Sequence, residues 1–145
     1  MKFMAGFALA AAAAMFSAAG QAQEMSRGDM SAGGGVKLAA EQLKPLLAGA
    51  TLRWSSVNTG QPCQFELKSD GSMAGSCFTA AGRPNRNLTT GSWRIADNGR
   101  WCRREIQKGF EGNEICREIW KRGEKYYFPQ KADDQSPLHE LTISK

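Results

Sequence analysis

The chain is poor in the groups that carry most enzyme chemistry. It has a single histidine, His139, and no C-x-x-C pair, G-x-S-x-G or S-x-x-K. Catalysis needs convergent groups, and one histidine near the start of an expected last strand supplies none by itself. The glycine run Gly33-Gly34-Gly35 lies in a polar N-terminal stretch, not between a strand and a helix where a phosphate loop would sit. Glu105, Glu111, Glu114 and Glu118 fall on charged hairpins. There they are expected to pair with Arg103, Arg104 and Arg117 rather than to form an acid/base couple in a cleft. No cofactor motif and no metal-ligand cluster stands out; Asp133-Asp134 alone is not one. After Phe16 no further long apolar run occurs, so a second membrane-spanning helix is not expected.

What the chain does have begins with MKFMAGFALAAAAAMFSAAGQAQE. Lys2 is a short positive start, Phe3 to Phe16 an alanine-rich apolar stretch, and Gly20-Gln21-Ala22 a small-x-small site. This reads as a secretory signal peptide over 1–22. No cysteine follows the apolar stretch, which leaves no site for lipoprotein acylation. The expected location is periplasmic or secreted, with no transmembrane anchor after cleavage. The formal charge is +5; without Lys2 it is +4. Export argues against nucleic acid as a partner and leaves an anionic envelope polymer or a protein.

The four cysteines, Cys63, Cys77, Cys102 and Cys116, fit that compartment. An even number in a small exported domain suggests disulfides, and their spacing does not match zinc ligand pairs. Hairpin turns rank the three possible pairings. A turn at Asp70-Gly71 places Gln64 opposite Cys77 and Cys63 one step away, within reach through a bulge. A loop centred on Gly109 places Cys102 opposite Cys116. Cys63–Cys77 and Cys102–Cys116 are therefore the expected bonds.

The rest of the pattern gives three regions. Residues 23–37 are polar and glycine-rich and are expected to be a flexible tether. They include Arg27-Gly28-Asp29, a tripeptide that arises readily by chance. Residues 38–49 carry Leu43, Leu46 and Leu47 at helical spacing before Gly49, with Pro45 delaying or kinking the helix. From Thr51 onward short runs alternate between turn signals, at 51–57, 63–68, 73–78, 92–96, 100–106, 114–121, 125–130 and 138–143. The expectation is an all-β domain over 38–145 with one short N-terminal helix. It is an antiparallel meander of about eight strands, a small barrel or a strongly curved sheet, stapled by disulfides. A polar stretch, 79–90, interrupts it and holds Asn87-Leu88-Thr89, a match to the glycosylation sequon.

The stretch GSWRIADNGRWCRR, residues 91–104, is the densest in aromatic and cationic groups. Its Asp97-Asn98-Gly99 reads as a hairpin turn, with Asn98 and Gly99 both expected at positive φ. Trp54, Trp93, Trp101 and Trp120 each fall on an expected strand, and core packing is the ordinary role of such residues. Trp101 and Cys102 are adjacent and so point to opposite faces. If the disulfide lies inside, Trp101 lies outside among Arg103 and Arg117, with Arg104 nearby. These four residues, Trp101, Arg103, Arg104 and Arg117, form the candidate ligand platform.

Taken together, LAAEQLKPLLAGATL, SDGS, GSWRIADNGRWC and IWKRGEKYYFP resemble the DUF995-like group of small exported proteobacterial proteins. That group carries a G-x-W strand, a D-x-G-x-x-C turn, a second cysteine and a D-G-x-x-Y hairpin. Gly91, Trp93, Asp97, Gly99, Cys102, Cys116, Gly123 and Tyr126 hold those places. Arg122 and Glu124 flank Gly123 in place of the usual aspartate before it. The resemblance spans about residues 38–130 and implies an exported β fold; the group brings no activity with it. The function expected from all of this is a non-catalytic module binding an envelope component or a protein partner. Behind it stand an inhibitor of an envelope-targeting enzyme, for which the positive charge is the wrong sign against basic targets, and a cell-wall-directed hydrolase.

Overall fold

The computed structural model describes residues 24–56, 60–78, 89–107 and 110–145. The expected leader, the interval 79–88 and two of the three sequon residues lie outside them. Two short helices, α1 (Arg27–Ala32) and α2 (Ala40–Leu47), accompany eleven strands. They are β1 (Val36–Lys37), β2 (Thr51–Ser55), β3 (Pro62–Leu67), β4 (Ser72–Cys77), β5 (Thr89–Ile95), β6 (Arg100–Gln107), β7 (Phe110–Glu111), β8 (Ile115–Glu118), β9 (Trp120–Arg122), β10 (Lys125–Pro129) and β11 (Leu138–Ser144).

The sheet is antiparallel and runs β1-β9-β10-β11-β2-β3-β4-β5-β6-β7, with β8 also paired to β6. Only Ile119 separates β8 from β9. β8 pairs with β6 while β9 pairs with β10, so one bent strand brings the sheet round to a nearly closed barrel. The eight expected strands are all present: one is split at Ile119, and the two-residue strands β1 and β7 are added. No ladder joins β8 to β10 among the described residues, which leaves a seam in the wall.

Period-two alternation builds the interior. Cys63, Phe65 and Leu67 of β3 are buried while Gln64 and Glu66 are not, as a half-buried strand requires. One end of the barrel is closed by α2. Ala40, Leu43 and Leu47 form its buried face at helical spacing, and the Gln42 side chain accepts from the Ala39 N–H. The helix tolerates Pro45 because it is only two turns long and ends at once. Gly49 then turns the chain, and its N–H donates to the Leu67 carbonyl while the Leu67 N–H donates to Ala50. Leu43, Leu47, Leu52 and Leu67 have no exposed surface there. Each such side chain contributes about 1.5–3 kcal/mol by burial.

Three expectations are corrected. First, residues 24–37 belong to the fold rather than to a tether. Ser26 and Asp29 form a reciprocal cap on α1, Met30 is fully buried, and β1 pairs with β9. The Arg27 and Gly28 N–H groups donate to Ser136 and Asp134, and Met25 accepts from Leu138. The sequence concealed this because the segment is held by backbone bonds, ion pairs and one methionine rather than by an apolar run. The domain therefore has two short helices, not one.

Second, the first disulfide needs no bulge. Cys63 lies directly opposite Cys77 because Leu67 pairs with Met73, one register step from the expectation. The hairpin loop is longer by one residue, with Gly71 at φ 86°. Both expected bonds, Cys63–Cys77 and Cys102–Cys116, are formed.

Third, the hairpin between β5 and β6 turns over Ala96–Gly99, where the Gly99 N–H donates to the Ala96 carbonyl. Ala96 then pairs with Arg100. This is a three-residue loop closed by glycine at φ 73°, not a two-residue Asn-Gly turn. A Cβ on Gly99 would also come within 3.3 Å of the Leu38 carbonyl, where the turn abuts the start of α2. The other motif residues are structural in the same sense. Trp93 donates its Nε1–H to the Lys68 carbonyl at 2.8 Å, and any Cβ at Gly91 would collide with the backbone of Arg104.

Candidate functional site

The end of the barrel opposite α2 is not filled. Trp54 and Ser56, Cys63 and Cys77, Arg103 and Glu105, Ile115, Arg117, Phe128 and Gln130 surround a cavity of about 270 Å³. Eight strands enclose an interior just wide enough to be packed with side chains or to hold one small ligand. Here the two halves of one barrel do both.

The floor of this mouth is aromatic. Trp54 stacks on Phe65 at 5.3 Å and meets Trp101 and Phe128 edge-on at 6.1 and 6.2 Å. Arg103 lies on top, its guanidinium 4.9 Å from the Trp54 ring and 5.4 Å from Trp101. Its side chain keeps 19% of its surface exposed, so one aspect of a fixed cation remains open. Glu105 Oε1 lies 3.3 Å from Arg103 Nε, yet that Nε makes no hydrogen bond. Burial, with the neighbouring Arg117 charge, holds the Arg103 guanidinium below its ordinary value, and Glu105 pulls the other way. It stays charged, as arginine does in proteins.

Arg117 reaches the same mouth from β8. Its Nη1–H donates to the carbonyl of Cys116, and no carboxylate pairs with it among the described residues. Burial and then the Arg100 charge lower its pKa. His139 sits behind Phe128 with ring centres 5.3 Å apart. Burial pushes its pKa down; Glu24 opposes this and Arg117 adds to it. Nε2 of His139 and Nε1 of Trp101, like Arg103 Nε, are buried without a hydrogen-bond partner. Of these three, Arg103 alone lines the mouth.

The four residues of the expected platform separate. Arg103 and Arg117 converge on the mouth. Trp101 does not lie outside: it is 2% exposed and packs in the core beneath Arg103. The disulfide takes the outer face instead, and Cys102 is buried there as well. The Arg94–Glu114 ion pair at 2.6 Å lies beside it, with Arg94 directly opposite Cys102. The two neighbours point to opposite faces as alternation requires, and the outer one is covered by ion-paired long side chains rather than left exposed. Arg104 also points outward, to Glu111 at 2.9 Å, and has no part in the mouth. Trp54, Phe128, Glu105 and His139 join the site without having been singled out together. Phe128 and His139 face each other across the β10–β11 pairing, but the strands of Trp54 and Glu105 are far from these in sequence, and only the barrel brings them together.

The carboxylates are paired rather than coupled to each other. Glu105, Glu111, Glu114 and Glu118 meet Arg103, Arg104, Arg94 and Arg27, so Arg117 is the arginine left over from the expected pairings. Glu118 is buried and holds the N-terminal segment. It accepts from Arg27 Nε at 3.0 Å and Trp120 Nε1 at 3.1 Å and lies 3.4 Å from Lys37 Nζ. Burial raises its pKa, and these partners more than reverse that. Cys102, Glu114 and Cys116 come close enough to suggest a metal site. The two sulfurs are bonded to each other, however, and only a free thiolate is a metal ligand.

Two disulfides fit an oxidising, extracytoplasmic compartment, and no helix among the described residues is long and apolar enough to cross a membrane. Comparison with protein-family models, with curated proteins and with solved structures gave no match to this chain.

Proposed function

We propose that the protein is a non-catalytic periplasmic or secreted binding module that takes an anionic group of an envelope component into the mouth of its barrel. The observation that carries this reading is the pair Arg103 and Arg117 in one cavity, with Arg117 unmatched by any carboxylate among the described residues. Two like charges held together in a partly buried site repel unless an anion joins them. The unpartnered Nε of Arg103, which lines that cavity, supports the same reading. The leader over 1–22 supplies the export step. Kinship with the DUF995-like group belongs to this proposal too, resting on the motifs from Gly91 to Tyr126.

Trp54 and Trp101 lie against Arg103, so their fluorescence reports on the mouth. The test titrates the protein at low salt with sodium acetate and an anionic envelope polysaccharide. Saturable quenching that weakens with salt and is lost in Arg103→Gln supports the reading. Arg104→Ala, on the outer face, is expected to behave as wild type. Flat titrations with every anion overturn it.

A further inference from the structure

Arg117 also borders a second cavity. At the seam between β8 and β10, Arg100, Arg117 and Lys131 line a recess of about 130 Å³ together with Cys116, Glu118, Pro129 and Ala132. Three cations thus face one small space. Glu118 is its only carboxylate, and that group is already engaged by Arg27, Lys37 and the Trp120 N–H. Neither Arg100 nor Lys131 forms an ion pair among the described residues. The arrangement is not a by-product of strand alternation. Arg100 comes from the start of β6, Arg117 from β8 and Lys131 from the chain just beyond β10, so three separate segments contribute cationic residues to its lining.

From this geometry we infer that the recess is a phosphate subsite, and that the ligand of the barrel mouth carries a phosphate monoester. The charge count distinguishes phosphate from carboxylate. Arg117 is shared, so the two cavities together carry Arg100, Arg103, Arg117 and Lys131 against Glu105 and Glu118, an excess that one dianion balances. The recess holds three cations whose one acid has two cationic partners of its own, and it suits a dianion. Arginine and lysine together are the usual holders of such a group, the one by a planar fork and the other as a point charge. Because Arg117 lines both cavities, a ligand can present its phosphate at the seam and the remainder of its body at the mouth. The packed leucines of the α2 end leave no room for a long acyl chain inside the barrel, so the body must be short or must extend outward. The inference rests on the mouth being an anion site only through Arg117; Arg100 and Lys131 belong to the recess alone.

The test follows binding of inorganic phosphate by phosphorus NMR line broadening and by calorimetry, with acetate as the carboxylate control. Arg100→Gln and Lys131→Gln are each expected to weaken phosphate binding about tenfold, the scale of one lost charged hydrogen bond, while Arg103→Gln retains it. Unfolding curves of the variants confirm that each is folded; if Arg100→Gln is not, Lys131→Gln decides, since Lys131 is exposed. Phosphate binding that is indifferent to both recess substitutions overturns the inference and leaves the mouth reading intact, as does acetate binding as tightly as phosphate. Absence of any anion binding overturns both. Two further arms assign the source: competition by glucose 6-phosphate indicates a soluble or glycan phosphomonoester. Co-sedimentation with phosphatidylcholine vesicles containing phosphatidic acid, but not with phosphatidylcholine alone, indicates a lipid headgroup.

Discussion

At the α2 end of the barrel, Leu43, Leu47, Leu52 and Leu67 are completely buried; at the other end, strands of the same barrel carry Arg103, Glu105 and Arg117. Both ends alternate inward and outward with the same period, and each has a disulfide-bonded or helix-capped boundary. The difference lies in the identity of the inward side chains. Leucines pack to the density of a solid and leave nothing to bind. Arginines hold their charges apart, leave nitrogens unpaired and keep a cavity open. One end is packed solid, and the other keeps an open, charged cavity.

This contrast can be broken most forcefully at the closed end. Leu43→Ala removes a fully buried side chain from the plug and is expected to cost about 3–5 kcal/mol, since α2 is tied down at both ends and cannot collapse into the void. Urea unfolding measures it. A loss below about 1 kcal/mol, no more than a typical mutation costs, would show that α2 is not the plug.

The disulfides come next. Replacing Cys63 and Cys77 by serine opens a bridge with a sequence separation of 14 and is expected to cost about 3 kcal/mol. The matching change at Cys102 and Cys116 spans the same separation and should cost about as much. The inward bridge lines the mouth and Cys116 of the outward one borders the recess, so the first pair should also alter acetate binding and the second phosphate binding. Peptide mapping without reduction checks the pairing; a Cys63–Cys102 bridge would refute the register.

Gly99 lies where the β5–β6 turn meets α2. Gly99→Val forces a branched residue into positive φ and against the Leu38 carbonyl, at an expected cost of about 1–3 kcal/mol. Arg117→Ala, at the open end, should change stability by no more than about 0.5 kcal/mol, because it removes a cation that has no acidic partner. If the two variants unfold at the same urea concentration, the division of labour between the ends is wrong.

The smallest effect concerns His139. Its folded-state pKa is lowered, mainly by burial, so the folded form prefers the neutral ring. The unfolded chain takes up a proton near about pH 6.5. The contribution of the neutral ring is therefore complete above that value and is lost as pH falls through the lower folded-state value. Urea midpoints measured on either side of about pH 6.5 should decline toward acid, and His139→Phe should flatten that decline. An unchanged slope in the variant would remove His139 from the account.

Much of this architecture is written locally. Period-two runs from Cys63, the Asp70-Gly71 and Asn98-Gly99 turns and the helical leucines before Gly49 each act over a few residues. They determine strands, hairpins and, through hairpin counting, both disulfide partners. The cysteine content likewise fits a compartment without reference to any contact. What only the tertiary structure decided depends on segments distant in the chain. The bend at Ile119 joins β6 to β10 and turns a meander into a barrel, and that closure has no signature in any single run. It places Arg103 over Trp54 and gathers Arg100, Arg117 and Lys131 at one seam. It also carries Arg27 across to Glu118, so that a glycine-rich stretch without an apolar pattern becomes part of the wall. Alternation states that Trp101 and Cys102 point opposite ways; it cannot state which way is inward, because that depends on the direction in which the whole sheet curls.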